Sequence, residues 1–340
     1  MKLNEFQKIL EKRGIDLAIL TNNTERKNTN FVYFARTNEI NAILTINKNP
    51  TLYVSLLELS IAKKYSRIKN IKILDKKVFD DINKLKPKII GVEKENLTLT
   101  QFINIKSKFN NTKFTDISKD IFNLRKIKTE EEIDNIKKSC KFADLVIQNA
   151  IEFAKKAKTE IELKKFIEKN ILDLDLEPSF TTIVASSNNS KNPHHISDNT
   201  KLNGFTIIDL GVKYNNYCSD IARTIYVGKP RKEEVNFYNK ILDIQEDCIE
   251  DDLGPKELHN KAEKILGKYL IHNLGHGVGL DVHELPRISS LSIDEFKENM
   301  VFAIEPSYYN KFGIRIEDML LYKNHKKILL TKTLKELKII

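Results

Sequence analysis

The sequence predicts an α+β protein of two domains, and three observations predict it. Over residues 1–120, short helical and strand patterns alternate, as they do in a layered α/β domain. From residue 129 the pattern changes to two long helices and then to strands. The 340 residues suffice for two cores, at roughly 100–200 residues per domain. The expected division is 1–120 for a smaller α/β domain and 121–340 for a larger one.

Residues 4–14 carry helical apolar spacing and stop at Gly14, and residues 16–20 read as a short strand. Residues 42–46 and 51–54 read as a strand pair joined by a turn at 47–50. Helices at 57–65, 78–85 and 101–109 alternate with strands at 71–74 and 88–92. In the larger domain, helices at 129–156 and 159–173 each begin on Thr with Glu three residues later, the spacing of a capping box. A Ser/Asn-rich loop at 186–192 precedes strands at 206–212 and 222–227. Helices follow at 233–250 and 256–269, then strands at 300–308 and 313–322.

Composition excludes several classes. Apolar residues make up 41% and charged residues 31%, as in ordinary soluble domains. No apolar run approaches the ~18 residues of a membrane span, and the N-terminal MKLNEFQKIL lacks the apolar core of a signal peptide. Cys140, Cys218 and Cys248 have no CxxC spacing and read as free thiols of a reducing compartment, so a cytoplasmic location is expected. The formal charge of +10 permits a nucleic-acid partner, but Lys is scattered along the chain without a basic block and there are only nine Arg, which argues against one.

The chemistry is expected in the second half. All seven His lie at or beyond position 194. Two strand-like stretches in TIIDLGVKYNNYCSDIARTI flank a polar turn at 213–216. A hairpin centred between Tyr214 and Asn215 sets Asp209 directly opposite Asp220, with Cβ atoms ~5 Å apart. Two carboxylates so placed repel, and need a shared proton or a cation. A register slip of one residue would separate them, so this pair alone does not decide for a metal. In AIEPSYYNKFGIRIED, a turn centred on Lys311 sets Glu305 opposite Glu317 in the same way. Two acid pairs in one domain, if they converge, point to divalent cations with oxygen ligands, as in two-metal hydrolases.

Between the pairs lies HNLGHGVGLDVHE. His276 is flanked by glycines that allow close backbone approach, and a neutral imidazole is a common metal ligand. The glycines lack the dinucleotide fingerprint and no GK[ST] follows, which argues against a phosphate loop.

The phrases IIDLG, SDIARTI, GHGVGLDVHE, AIEP and RIED occur in that order, preceded by LRKIKTEEEI and PHH. Over residues 121–325 the chain resembles the Xaa-Pro peptidases, the prolidase and aminopeptidase P branch of the pita-bread metallopeptidases. The resemblance implies a C-terminal pita-bread fold preceded by a smaller creatinase-like α/β domain, two divalent metals per chain, and a homodimer. Asp209 would chelate one metal, Asp220 and Glu317 would bridge, and His276 would complete one site. Glu305 would bind a metal and take the proton from the attacking water. The family's ions are manganese, cobalt, zinc or iron, and the oxygen-rich set leans towards manganese. In this chemistry the metals acidify a bridging water and polarise the scissile carbonyl.

His194 and His283 would hydrogen-bond the substrate and the tetrahedral intermediate, with His195 as a second substrate-binding candidate. His272 reads as loop support. Arg287, in HELPR, matches the arginine with which such prolidases grip a dipeptide's C-terminal carboxylate, a task suited to a guanidinium. Arg315 reads as an orienter of the neighbouring carboxylates. The expected activity is hydrolysis of Xaa-Pro bonds in dipeptides or short peptides. The chain departs from the family at the rim of the site, with Ser307 after EP, a hairpin about two residues shorter, and Gly204-Phe205 where an acid is common. The alternatives are a methionine aminopeptidase-like peptidase, which the long N-terminal part argues against, and a non-catalytic pita-bread binding module, which the full ligand set argues against.

Overall fold

The computed structural model describes residues 2–340. It divides into two compact units, Met1–Leu124 and Arg125–Ile340, with the division inside the helix Ser118–Lys126.

The first unit is built on a six-stranded mixed sheet. Its order is Asn70–Ile73, Thr51–Val54, Ala42–Ile46, Leu17–Asn22, Ile89–Val92, Lys113–Asp116. Leu17–Asn22 lies centrally, and its apolar run Leu17 to Leu20 is buried, as expected of a strand covered on both faces. Ala42–Ile46 and Thr51–Val54 pair antiparallel in the expected way. Sequence patterning missed the helix Ser118–Lys126 and two further elements. The helix Thr29–Ala35 is buried almost throughout and is capped by the Asn28 side chain, and so short an apolar run has no periodicity that separates helix from strand. The edge strand Lys113–Asp116 is polar and partly exposed.

In the second unit, helices Glu130–Ala154 and Glu160–Leu172 pack through Ile147, Ile167 and Ile171 onto the sheet formed by Ile183–Ser186, Gly204–Leu210 and Ile221–Val227. Helices Lys232–Glu250 and Pro255–Leu266 cover a five-stranded sheet through Ile241, Leu258 and Phe302. That sheet runs in the order Glu284–Ile288, Gly275–Gly277, Met300–Ile304, Asp318–Lys323, Lys326–Leu329. An isolated bridge between Ala222 and Glu317 joins the two sheets. The expected strand 300–308 is divided into Met300–Ile304 and Ser307–Tyr309, and 313–322 into Gly313–Arg315 and Asp318–Lys323. Both interruptions fall on acidic site candidates. Among the described residues no helix is long and apolar enough to cross a membrane.

Thr129 accepts from the Glu132 backbone while the Glu132 carboxylate accepts from Thr129, a complete capping box. At the next helix Thr159 caps Glu162, but the Glu162 carboxylate turns to the Lys158 N–H instead, 2.8 Å away. Replacing Thr129 by Ala removes the first cap. It is expected to lower unfolding stability by ~1 kcal/mol, measured as a lower urea midpoint at unchanged slope. An unchanged midpoint counts against the cap.

Candidate metal centre and active site

Asp209 lies near the end of Gly204–Leu210, and Asp220 immediately before Ile221–Val227. The hairpin register differs from the sequence expectation. Asp209 faces Ala222, not Asp220. The cause is the turn: Asn215 and Asn216 both take positive φ, 50° and 69°, a left-handed pair typical of two-residue hairpins and well tolerated by Asn. The turn therefore centres one residue later, and the partner shifts by two. A shift of two preserves the face, so Asp220 stays on the side of Asp209, one step along the ladder. The second hairpin has the expected register, with Ser307 opposite Arg315 and Ile304 opposite Asp318 on either side of Glu305 and Glu317. The Glu317 backbone N–H donates to Ala222 O at 3.1 Å, which brings the two hairpins together.

His276 stands on the short strand Gly275–Gly277, between Ala303 and Arg287 of the neighbouring strands. The flanking glycines are required by packing. A Cβ on Gly275 would lie 2.0 Å from Ala303 O, and one on Gly277 2.1 Å from Leu285 O. The His276 ring reaches the acids from there. Its Nε2 is 3.7 Å from Asp220 Oδ2, 3.6 Å from Glu305 Oε1 and 3.7 Å from Glu317 Oε1.

Oxygen and nitrogen atoms of Asp209, Asp220 and Glu317 lie within 4.8 Å of one another, as do those of His276, Glu305 and Glu317. Glu317 belongs to both groups. All five side chains are nearly buried, Glu305 being the most open at 14% exposure. Burial, then mutual repulsion, raises the carboxyls of Asp220 and Glu317 well above their ordinary range. Burial raises Glu305 to about 8. Asp209 is also raised by burial, against the opposing pull of Arg315. Burial lowers His276 to about 3, leaving a neutral ring with a free lone pair. Asp209 Oδ1 and Glu317 Oε1 are buried and have no hydrogen-bond partner. Unsatisfied buried carboxylate oxygens are costly, and a donor set of four carboxylates and one imidazole with two such oxygens fits two divalent cations.

Arg315 is the compensating cation inside the cluster. It donates through Nη1 to Asp209, through Nε to Tyr309 Oη at 2.8 Å, and through Nη2 to Pro193 O at 3.3 Å. Behind Glu317, buried Arg223 donates to the Glu317 carbonyl at 2.7 Å and to Asp318 at 2.6 Å.

The remaining candidates occupy the rim. His283 is exposed, with its ring edge-on to His276 at a centroid distance of 4.2 Å. His194 is exposed and close enough to act by charge on Asp209 and His283. Arg287 is exposed and makes no hydrogen bond or ion pair among the described residues; cross-strand pairing places it on the face of His276. His195 points elsewhere, its Nε2 2.6 Å from buried Glu160. His272 bonds the Asn273 carbonyl through Nδ1 at 2.7 Å, and its Nε2 has no partner.

Sequence patterning missed a set of supporting charges. Arg125 donates to Asp281 at 2.7 Å and to Glu284 at 2.5 Å, and Lys128 to Glu284 at 2.7 Å. These residues bracket His283. The LRKIK phrase carried the signal for them, without naming the partner.

Residues 134–324 match the model of metallopeptidase family M24, and residues 2–127 that of the creatinase/prolidase N-terminal domain. The Xaa-Pro dipeptidase of Pyrococcus furiosus is 36% identical over 99% of both chains. The crystal structure of the prolidase from Pyrococcus horikoshii superposes with a TM-score of 0.89 at 33% identity, covering 99% of each chain. An X-Pro aminopeptidase from Thermotoga maritima gives a TM-score of 0.89 at 28% identity, covering 97% of this chain and 99% of that one. With a family match over more than half its length and a full-length relative above 30% identity, the chain belongs to metallopeptidase family M24.

Proposed function

We propose that this protein is a two-metal Xaa-Pro dipeptidase. The observation that carries the reading is the convergence of Asp209, Asp220, Glu305, Glu317 and His276, with two buried carboxylate oxygens left without partners. Glu317, shared by both ligand groups, and Asp220, next to His276 as well as Asp209, would contribute to holding both cations. Asp209 would hold one cation together with these, and His276 and Glu305 the other. Two divalent cations held there would supply Lewis-acid polarisation of a carbonyl and acidification of water. The oxygen-rich set favours manganese.

The chain's own groups do the rest. Glu305, the most open acid of the cluster, accepts the proton of the attacking water and passes it to the leaving amine. His194 and His283, at the rim, donate hydrogen bonds to the substrate and to the developing oxyanion. Arg287, exposed and uncommitted on the face of His276, receives the C-terminal carboxylate in a bidentate pair. The identity to named Xaa-Pro dipeptidases supports this substrate class. The three buried free cysteines agree with a reducing, cytoplasmic setting, and a homodimer belongs to the same reading by resemblance.

The purified protein is expected to carry about two metals per chain. It should release proline from Ala-Pro, lose that activity on chelation and recover it with manganese. Absence of both metal uptake and hydrolysis would abolish the peptidase reading. Arg287→Ala should raise KM for Ala-Pro by about 10- to 100-fold, the worth of a charge-assisted bond. With a C-terminally amidated Ala-Pro peptide the variant and the parent should be equal. An equal KM increase on both substrates counts against carboxylate capture.

Metal removal also has a pH signature. Glu305 holds its proton up to about 8 in the folded metal-free protein, against an ordinary value of 4.5. Between those values the folded state binds the extra proton, so stability falls as pH rises. His276 and His272, lowered to about 3 and about 4 from 6.5, act in the opposite direction, but only below 6.5. From pH 6.5 to 8 the carboxyl effect stands alone, at ~1.4 kcal/mol per pH unit for each proton held. Calorimetry of the chelated protein should therefore show Tm falling across that range, and reloading with manganese should remove the fall. A rising Tm in the chelated protein contradicts the assignment.

A further inference from the structure

Glu160 is a charged group that the proposed chemistry does not use. It is the first residue of the helix Glu160–Leu172, is completely buried, and belongs to neither acid hairpin. Its carboxylate is nevertheless fully engaged. Oε1 accepts from the Ser186 backbone N–H at 2.7 Å and from Asn189 Nδ2 at 3.1 Å. Oε2 pairs with His195 Nε2 at 2.6 Å and accepts from the Asp198 backbone N–H at 3.2 Å. The helix N-terminus favours its negative charge. All four partners lie between residues 186 and 198, on both sides of His194.

The opposite side of this segment is tied to the metal-ligand hairpin. Ser190 Oγ accepts from the Gly313 backbone N–H at 2.8 Å, and Pro193 O accepts from Arg315 at 3.3 Å. His194 itself is exposed, with no hydrogen bond among the described residues. Its position therefore depends on the chain around it. Of its two flanks, Pro193 is held by Arg315 and His195 by Glu160.

We propose that Glu160 and His195 are positioning residues, a buried carboxylate–imidazole clamp that sets the loop carrying His194 against the metal centre. Loss of the clamp leaves the metal ligands untouched and lets His194 move, and misplacement by ~1 Å can cost about 100-fold in rate. The inference rests on the proposed role of His194.

The test uses the full-length, manganese-loaded protein and Ala-Pro. The His195 side chain keeps 10% exposure and makes one of the four bonds to the fully buried Glu160, so replacing His195 disturbs the fold less than replacing Glu160. His195→Ala should keep its metal content and lower kcat by about 10- to 100-fold with little change in KM. His195→Gln, which can still donate to Glu160, should recover much of that loss. In a His194→Ala background, His195→Ala should have little further effect, because its action passes through His194. Glu160→Gln, which exchanges one acceptor oxygen for an NH2, should resemble His195→Ala. A KM effect with unchanged kcat makes His195 a direct substrate contact and overturns the clamp, as do independent, multiplying effects of the two histidines. Amide hydrogen exchange gives a readout that needs no turnover. His195→Ala should accelerate exchange in residues 187–200 and leave 204–227 unchanged. If the parent protein proves inactive on Ala-Pro, faster exchange in that segment still supports the clamp, and unchanged exchange still overturns it.

Discussion

The repulsion among Asp209, Asp220, Glu305 and Glu317 governs the second unit. Four carboxylates are withdrawn from water into one cluster, and burial disfavours each of their charges. Such an arrangement persists only where the surrounding structure over-determines it. The ladder is interrupted at both acids of the second hairpin, and the freed Glu317 N–H is taken up by Ala222. Arg223 fixes the same residue through its carbonyl, and Arg315 places one positive charge beside Asp209. A single guanidinium cannot balance four carboxylates, which is why divalent cations complete the account so economically.

Around this centre lies a second layer of charge, buried at Arg125, Lys128 and Glu284 and open at Asp281. Arg125 and Lys128, just before the long helix Glu130–Ala154, meet Asp281 and Glu284 beside His283. Removing Glu284 would leave the buried Lys128 ammonium without its carboxylate, at a cost of about 3–5 kcal/mol. On the other side, Glu160 holds the segment around His194. The two rim histidines are thus each flanked by buried ionic groups, while their own side chains stay exposed. Rigid support with an open functional group is what positioning of a reactive side chain requires.

For Glu305 and Glu317 the expected register and the observed one agree, because the odd-length turn around Lys311 allows one natural centre. For Asp209 and Asp220 the register moved by two, because the Asn215-Asn216 pair adopts left-handed backbone and becomes the turn. The two carboxylates still share a face because strand side chains repeat every two residues. The helices at 130–154 and 160–172 were legible from their Thr caps and apolar spacing. The strands at 275–277 and 284–288 were not, since glycine, histidine and proline carry no strand period.

By itself, then, the sequence determined the helix caps and the register of the second hairpin, which are encoded within a few neighbouring residues. Only the tertiary structure decided which charges support the site. Glu160 meets His195 across 35 residues, and Arg125 meets Glu284 across 159. No local period encodes partners at such separations. Their pairing follows from how the helices pack on the sheets, and from the need of every buried charge for an opposite one.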